Sequence, residues 1–250
     1  MSNILIKQLP APKYNVEYIE RDNKHIYALD GKELPSVTKI LHMIGGEKMD
    51  MLIAWSCKQA LLHAKTSVLN TTKFTPQVVD KIFNEARNRP EELKKQAGSL
   101  GGKVHDAADA YVSGHPYKII SPEVMPGYKN FLTWVQDSGI SFICGDTTVA
   151  SRMYGYGGRV DALGYNKKGN IVLIDFKTSN ALRDEYPLQV AAYIRALEEM
   201  YGVLATEAVV VRFGKTKPDM EVKTVNISNA WNGFLAALAL TKTMNSPLWA

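Results

Sequence analysis

The sequence predicts an α/β protein in which a central mixed β-sheet is flanked by helices and preceded by a largely helical N-terminal portion. Three observations predict it. Residues 36 to about 112 carry helical apolar spacing with repeated capping signals. From Ile140 onward, runs of β-formers take over and end in the order strand, helix, two strands, helix. The composition, 250 residues with 46% hydrophobic, 22% charged and 9% aromatic, belongs to a globular chain able to bury a substantial core.

Taken in order, Tyr14 to Glu20 and His25 to Leu29 are rich in β-formers and flank the polar Arg21-Asp22-Asn23-Lys24, which predicts a hairpin. Ser36 and Thr38 can cap a first short helix, and Met49 to Val68 has helical spacing. Thr75 followed by Pro76 opens another helix, and Ser99 is placed to cap a fourth. Pro126 to Asp137 puts Tyr128, Phe131, Leu132 and Val135 on one helical face. Strands are then expected over 140–151, 157–165 and 170–177, a helix over 186–201, strands over 206–213 and 220–227, and a closing helix over 229–243. This divides the chain into an N-terminal hairpin region (1–33), a mainly helical segment (34–139) and an α/β core (140–250).

Composition excludes several classes. Thirty Lys and Arg against 25 Asp and Glu give a net charge of +5, which favours an anionic partner without identifying one. With only Cys57 and Cys144, a disulfide framework, a Cys₄ zinc site and a Cys₄ iron–sulfur cluster are ruled out, and a reducing cytoplasm is the expected setting. MSNILIKQLPAPK has no sustained apolar stretch and reads as neither signal nor transit peptide. No apolar run reaches membrane-spanning length, so no membrane partner is expected.

The informative stretch is GGRVDALGYNKKGNIVLIDFKTS, residues 157–179, two strand-like runs joined by a turn-rich Asn166-Lys167-Lys168-Gly169-Asn170. With the turn centred on Lys168, the antiparallel register sets Tyr165 opposite Ile171, Leu163 opposite Leu173, Asp161 opposite Asp175, and Arg159 opposite Lys177. Directly opposed residues have Cβ atoms roughly 5 Å apart, and two carboxylates there repel unless protonated or bridged by a cation. Oxygen ligation of that kind suits Mg²⁺ or Mn²⁺. Arg159 and Lys177 beside it suit a phosphate. The acid-x-Lys pattern itself recurs five times, but only Asp175-Phe-Lys177 ends a buried-looking apolar run and has a second acid across a hairpin. Asp219 and Glu221 lie two apart on one strand and are set aside as a decoy. A slipped register would instead leave two ordinary strand-end acids.

Two further features adjoin this stretch. In YPLQVAAYIRALEEM, Gln189 and Tyr193 are four apart on one helical face, an arrangement also compatible with a core tyrosine beside a solvated glutamine. In GSLGGKVHDAADAYV, His105 precedes Asp109 by one turn, where the acid can orient the imidazole. Gly101-Gly102-Lys103, close to the helix start expected at Ser99, would suit a phosphate at a helix N-terminus.

Together, PSVTKIL, GRVDAL, IDFKTS and PLQVAAY, with a His-bearing helix before the last three, resemble the PD-(D/E)XK nuclease superfamily, in particular its RecB-like exonuclease branch, which includes the mitochondrial genome maintenance group and its phage and bacterial relatives. The resemblance runs from about Leu34 to Arg195. It implies a restriction-endonuclease-like core and metal-dependent DNA exonuclease activity, acting from single-stranded ends in replication, recombination or repair. By that resemblance His105, Asp161, Asp175 and the backbone carbonyl of Phe176 hold Mg²⁺ or Mn²⁺, and Lys177 is the catalytic lysine. Gln189 and Tyr193 match the QxxxY motif that positions the lysine and the nucleic acid. Lys39, Lys103, Arg152, Arg159, Thr178 and Ser179 are further expected nucleic-acid contacts, with Trp55 as a stacking candidate. Asp146 occupies a position where relatives often carry Glu. Val160 replaces the namesake proline and Asp175 the more usual glutamate. The cysteines of cluster-bearing relatives are missing, so no iron–sulfur cluster is expected, and no Walker A sequence is present, so unwinding would need a helicase, or a single-strand-binding protein, as partner. An inactive nucleic-acid-binding or interaction protein of the same fold, and an endonuclease of the superfamily, are the alternatives.

Overall fold

Turn chemistry shapes the first sheet. In the computed structural model, which describes residues 9–21, 24–44 and 46–247, strands β1 (Glu17–Arg21), β2 (Lys24–Leu29) and β3 (Lys32–Leu34) form an antiparallel three-stranded sheet in that order. Asp30 and Gly31 both have positive φ, 51° and 74°, the backbone that a tight two-residue hairpin needs and that Asp-Gly supplies. The third strand was not anticipated. The turn expected at Asp22-Asn23 and the N-terminal residues 1–8 lie outside the described residues.

The chain forms two compact units, residues 1–44 with 102–250, and residues 45–101. The second unit comprises α2 (Gly46–Leu69) and the first part of α3 (Pro76–Val112). Trp55 stands on α2. Thr75 caps α3, its Oγ1 accepting the Val78 N–H at 3.3 Å. The fourth helix expected from Ser99 does not begin there, because α3 runs unbroken over 37 residues. Its apolar spacing carries the ladder past Gly98, Gly101 and Gly102, and Val104, Ala107, Ala108 and Val112 anchor its end in the core. Gly101-Gly102-Lys103 is therefore mid-helix, where no free N–H groups face an anion.

In the first unit, α1 (Val37–Leu41) starts at Ser36, whose Oγ accepts the Lys39 N–H at 3.1 Å. The main sheet has the order β4 (Ser141–Ser151), β5 (Tyr156–Tyr165), β6 (Ile171–Lys177), β7 (Glu207–Phe213), β8 (Met220–Thr224). Only β6 and β7 run parallel, joined through α5 (Glu185–Tyr201), so the sheet is mixed. Leu163 and Leu173 pack with α1, α5 and α6 (Ile227–Met244) in one core. Phe176, which alternates to the opposite face, meets Phe131 and Trp134 of α4 (Met125–Ser138) and Phe213, with ring centroids 5.5 to 5.7 Å apart. The architecture is the mixed α/β class expected from sequence. Among the described residues, no helix is long and apolar enough to cross a membrane.

Candidate active site

The site is built where β5 and β6 part. The expected pairs Tyr165↔Ile171 and Leu163↔Leu173 are present, with Gly164↔Val172 and Ala162↔Ile174, and the registered ladder stops there. The Phe176 N–H donates instead to Asp161 Oδ2 at 2.7 Å, so a carboxylate side chain replaces the next ladder contact. Beyond the fork β5 continues with β4, as in Arg159↔Thr148, and β6 with β7, as in Lys177↔Arg212. The expected oppositions of Asp161 with Asp175 and of Arg159 with Lys177 are thereby corrected, since neither pair is in the ladder. Arg159 instead forms an ion pair with Asp146 and donates to Tyr18 Oη at 3.1 Å. Asp219 and Glu221, the decoy pair, hold the buried Arg212.

Asp175 is 1% exposed and Asp161 15% exposed, deep enough that their charges need compensation. Lys177 Nζ is 2.6 Å from Asp175 Oδ2, a charge-assisted contact, while the buried Asp175 Oδ1 has no hydrogen-bond partner among the described residues. His105 Nε2 is 3.2 Å from Asp161 Oδ2, and its Nδ1 is 2.9 Å from Asp109 Oδ2.

Charge follows from these contacts. Burial pushes Asp175 up, and the neighbouring Asp161 adds to this, although Lys177 opposes both. For Asp161, His105 and Lys177 outweigh burial and hold it below the usual range. Burial disfavours the charged forms of Lys177 and His105, but the acids win and raise both, His105 well above its ordinary 6.5. Native His105 and Asp175 thus keep protons that the unfolded chain releases. Their stabilisation is complete at low pH and is lost as pH rises through the native values. In chelator, thermal unfolding is expected to move to lower temperature as pH rises from about 4 through about 6, where folded Asp175 ionises, and to keep falling above 6.5 through the raised His105 value, and His105→Gln should flatten this second part of the decline. A midpoint that rises with pH would contradict this assignment.

Gln189 and Tyr193 are both buried, and Gln189 Nε2 donates to Tyr193 Oη at 2.6 Å. The Tyr193 ring lies so close to Gly158 that a Cβ there would overlap it. Gly158→Ala should cost about 1–3 kcal/mol, as overpacked cores do, and displace the Gln189–Tyr193 pair. An unchanged urea midpoint would contradict this.

A cavity of about 900 Å³ opens onto these groups, lined by His105, Asp109, Asp161, Gln189 and Tyr193 and, from other elements, by Lys39, Asp146 and Arg159. Lys103 and Arg152 are not among its lining residues. Lys103 pairs with Glu123 at 2.5 Å, and Arg152 pairs with Asp30 and lies over the Tyr14 ring at 4.7 Å. Thr178 and Ser179 follow Lys177 at the end of β6, and Ser179 Oγ donates to the Ala181 carbonyl. The wall made by His25, Ile26, Tyr27 and Glu33 was missed in the sequence, where alternation on β2 was the available signal.

Two carboxylates, an imidazole and the unpartnered Asp175 Oδ1 suit a divalent cation in donor chemistry. As they stand, no three His, Cys, Asp or Glu side chains among the described residues are grouped so as to hold a metal ion. The Lys177 ammonium and the His105 imidazole lie against the acids, so cation binding requires them to yield.

No family model and no curated protein matches the chain. Among solved structures, SSO0001 is similar over 50% of this chain and 59% of its own, at 14% identity and a TM-score of 0.32. The match thus spans little more than half of that protein's length. An alkaline exonuclease, LHK-Exo from Laribacter hongkongensis, is similar over 72% of this chain and 89% of its own, at 13% identity and a TM-score of 0.29. A structure of LHK-Exo in complex with dAMP matches over 52% and 74%, at 13% identity and a TM-score of 0.28. Likenesses this distant assign no activity.

Proposed function

We propose that this chain is a metal-dependent nuclease of the PD-(D/E)XK type that hydrolyses DNA phosphodiester bonds from single-stranded ends. The observation that carries the reading is the fork itself, where Asp161 and His105 line the cavity in contact with each other and the Asp175–Lys177 ion pair is buried on the adjoining strand, behind the cavity lining. A divalent ion held by His105, Asp161, Asp175 and the Phe176 carbonyl would supply Lewis acidity toward a phosphoryl oxygen.

The chain's own groups divide the remaining work. The acids beside Lys177 favour its ammonium form; once displaced from Asp175 by a bound cation, it would serve as a cationic donor to charge growing on the phosphate. Asp109 at His105 Nδ1 fixes the ring and turns Nε2 toward Asp161. Gln189 holds the Tyr193 hydroxyl, which burial keeps protonated and available as a donor.

A second reading, a DNA-binding protein without hydrolysis, is favoured by the way Lys177 and His105 already neutralise the acids. Incubation with end-labelled linear strands and a circular single strand, in Mg²⁺, Mn²⁺ or EDTA, separates the readings. Degradation of the linear strand only in metal, with the circle intact, is the expected result. Bound but intact linear DNA would favour the second reading, and a cut circle would make the enzyme an endonuclease.

A further inference from the structure

The N-terminal sheet brings a second kind of chemistry to the cavity. Tyr27 packs directly on β5, where a Cβ added at Gly157 would meet Tyr27 Cβ at 2.6 Å. The Gly157 N–H also donates to the Pro35 carbonyl at 3.0 Å, so β2 and β5 are held in close contact. Two residues before Tyr27 and on the same strand face, His25 lines the cavity and is exposed. Tyr18, the registered partner of Tyr27, completes an aromatic row from the buried Tyr27 through a half-buried Tyr18 to an open His25. Tyr18 and His25 stack with centroids 5.8 Å apart and an interplanar angle of 15°, and Tyr18 Oη lies 2.5 Å from His25 Nδ1.

This row ends beside charge. The Arg159 guanidinium lies over the Tyr18 ring at 5.1 Å and donates to its hydroxyl. Arg159 precedes Asp161 by two residues on β5, on the same strand face and about 7 Å away along the strand. A row of rings that grades from the packed Tyr27, tilted 42° to Tyr18, to the near-parallel Tyr18 and His25, with a cation at its side and carboxylates one pleat away, matches a nucleotide. Its ring face suits an unpaired base and its cation suits the adjoining phosphate.

Resting on the nuclease reading, we propose that His25, supported by Tyr18 and Tyr27, is a base-stacking subsite that grips one unpaired nucleobase next to the reacting phosphate. The pair is ordered by its own hydrogen bond, so little rotamer freedom remains to be lost on binding.

The test uses the full chain without metal and two fluorescent oligomers of equal length and charge, oligothymidylate and an abasic deoxyribose-phosphate strand. Wild-type protein is expected to bind oligothymidylate about tenfold more tightly, within the range for one stacked base. His25→Ala should abolish that preference while leaving the abasic affinity unchanged, and His25→Phe should retain it. Equal binding of both oligomers by wild type, or a His25→Ala loss that is the same for both, overturns the subsite. So does a failure of wild type to bind either oligomer. Cleavage assays keep the two readings apart. Hydrolysis without base preference removes the subsite alone, whereas base preference that depends on His25 without hydrolysis removes the nuclease reading alone.

Discussion

Lys177→Ala is expected to lower kcat/KM on a single-stranded oligonucleotide by about 10²–10³, the usual consequence of deleting one fixed donor to transition-state charge. It should also loosen the fold in a way that depends on pH. Lys177 Nζ, 2.6 Å from Oδ2, is the cation next to a carboxylate that is 1% exposed. Removing one partner of a buried pair costs about 3–5 kcal/mol when the other must stay charged. Asp175 has an escape, because burial already pushes it up to about 6, and without Lys177 it will take a proton more readily still. The loss of stability should therefore be small near pH 5.5 and approach the full figure only above about pH 8. Urea midpoints at the two pH values, beside turnover under saturating Mn²⁺, check both parts. Turnover within a few-fold of wild type would remove Lys177 from the chemistry, and a pH-independent stability loss would mean that Asp175 does not take up the proton.

The sequence made the closed half of the hairpin legible because turn and strand chemistry agree there. Gly169 has φ of 82°, and Asn166 Oδ1 accepts the Lys168 and Asn170 N–H groups at 2.9 and 3.0 Å. With the turn fixed, the leucine pair follows. The open half was not legible, since register arithmetic extends a ladder indefinitely and cannot foresee a side chain displacing it. Asp161 does this by taking the Phe176 N–H, and Arg159 then leaves Lys177 for Asp146. Asp146, between the pairs Gly145↔Ala162 and Thr147↔Val160, takes a positive φ of 43° within β4, a local backbone turn that no spacing rule reveals.

Helix signals were misread for a related reason. Ser99 and its glycines carry the composition of a helix start, but that is a local preference, and packing of Val104, Ala107 and Ala108 overrides it. His105 and Asp109 were nonetheless found, because a four-residue separation brings them together wherever the helix begins. The reverse holds for His25 and Tyr18. Their meeting depends on cross-strand register and on the docking of β2 against Gly157, long-range facts with no short motif.

Asp161→Asn should have the other large effect, and it separates metal chemistry from structural support. Asparagine keeps one side-chain acceptor for the Phe176 N–H, which Asp161 receives at 2.7 Å, so the fork should survive. The negative charge is lost. His105, raised chiefly by Asp161 against the opposing effect of burial, should titrate at a lower pH. Asp175, pushed up in part by the same neighbour, should ionise more readily. Both changes weaken the decline in apo stability with rising pH. If Asp161 is a ligand, wild-type protein should gain about 2.7 kcal/mol at a Mn²⁺ concentration a hundred times Kd, while Asp161→Asn gains almost nothing and turns over about 10³-fold more slowly, on the order of 4 kcal/mol in barrier. Calorimetric melts with and without Mn²⁺ read the first effect independently of turnover. A variant that keeps the wild-type metal shift would show that Asp161 only braces the strand fork, and Asp175 would then have to hold the ion with different partners.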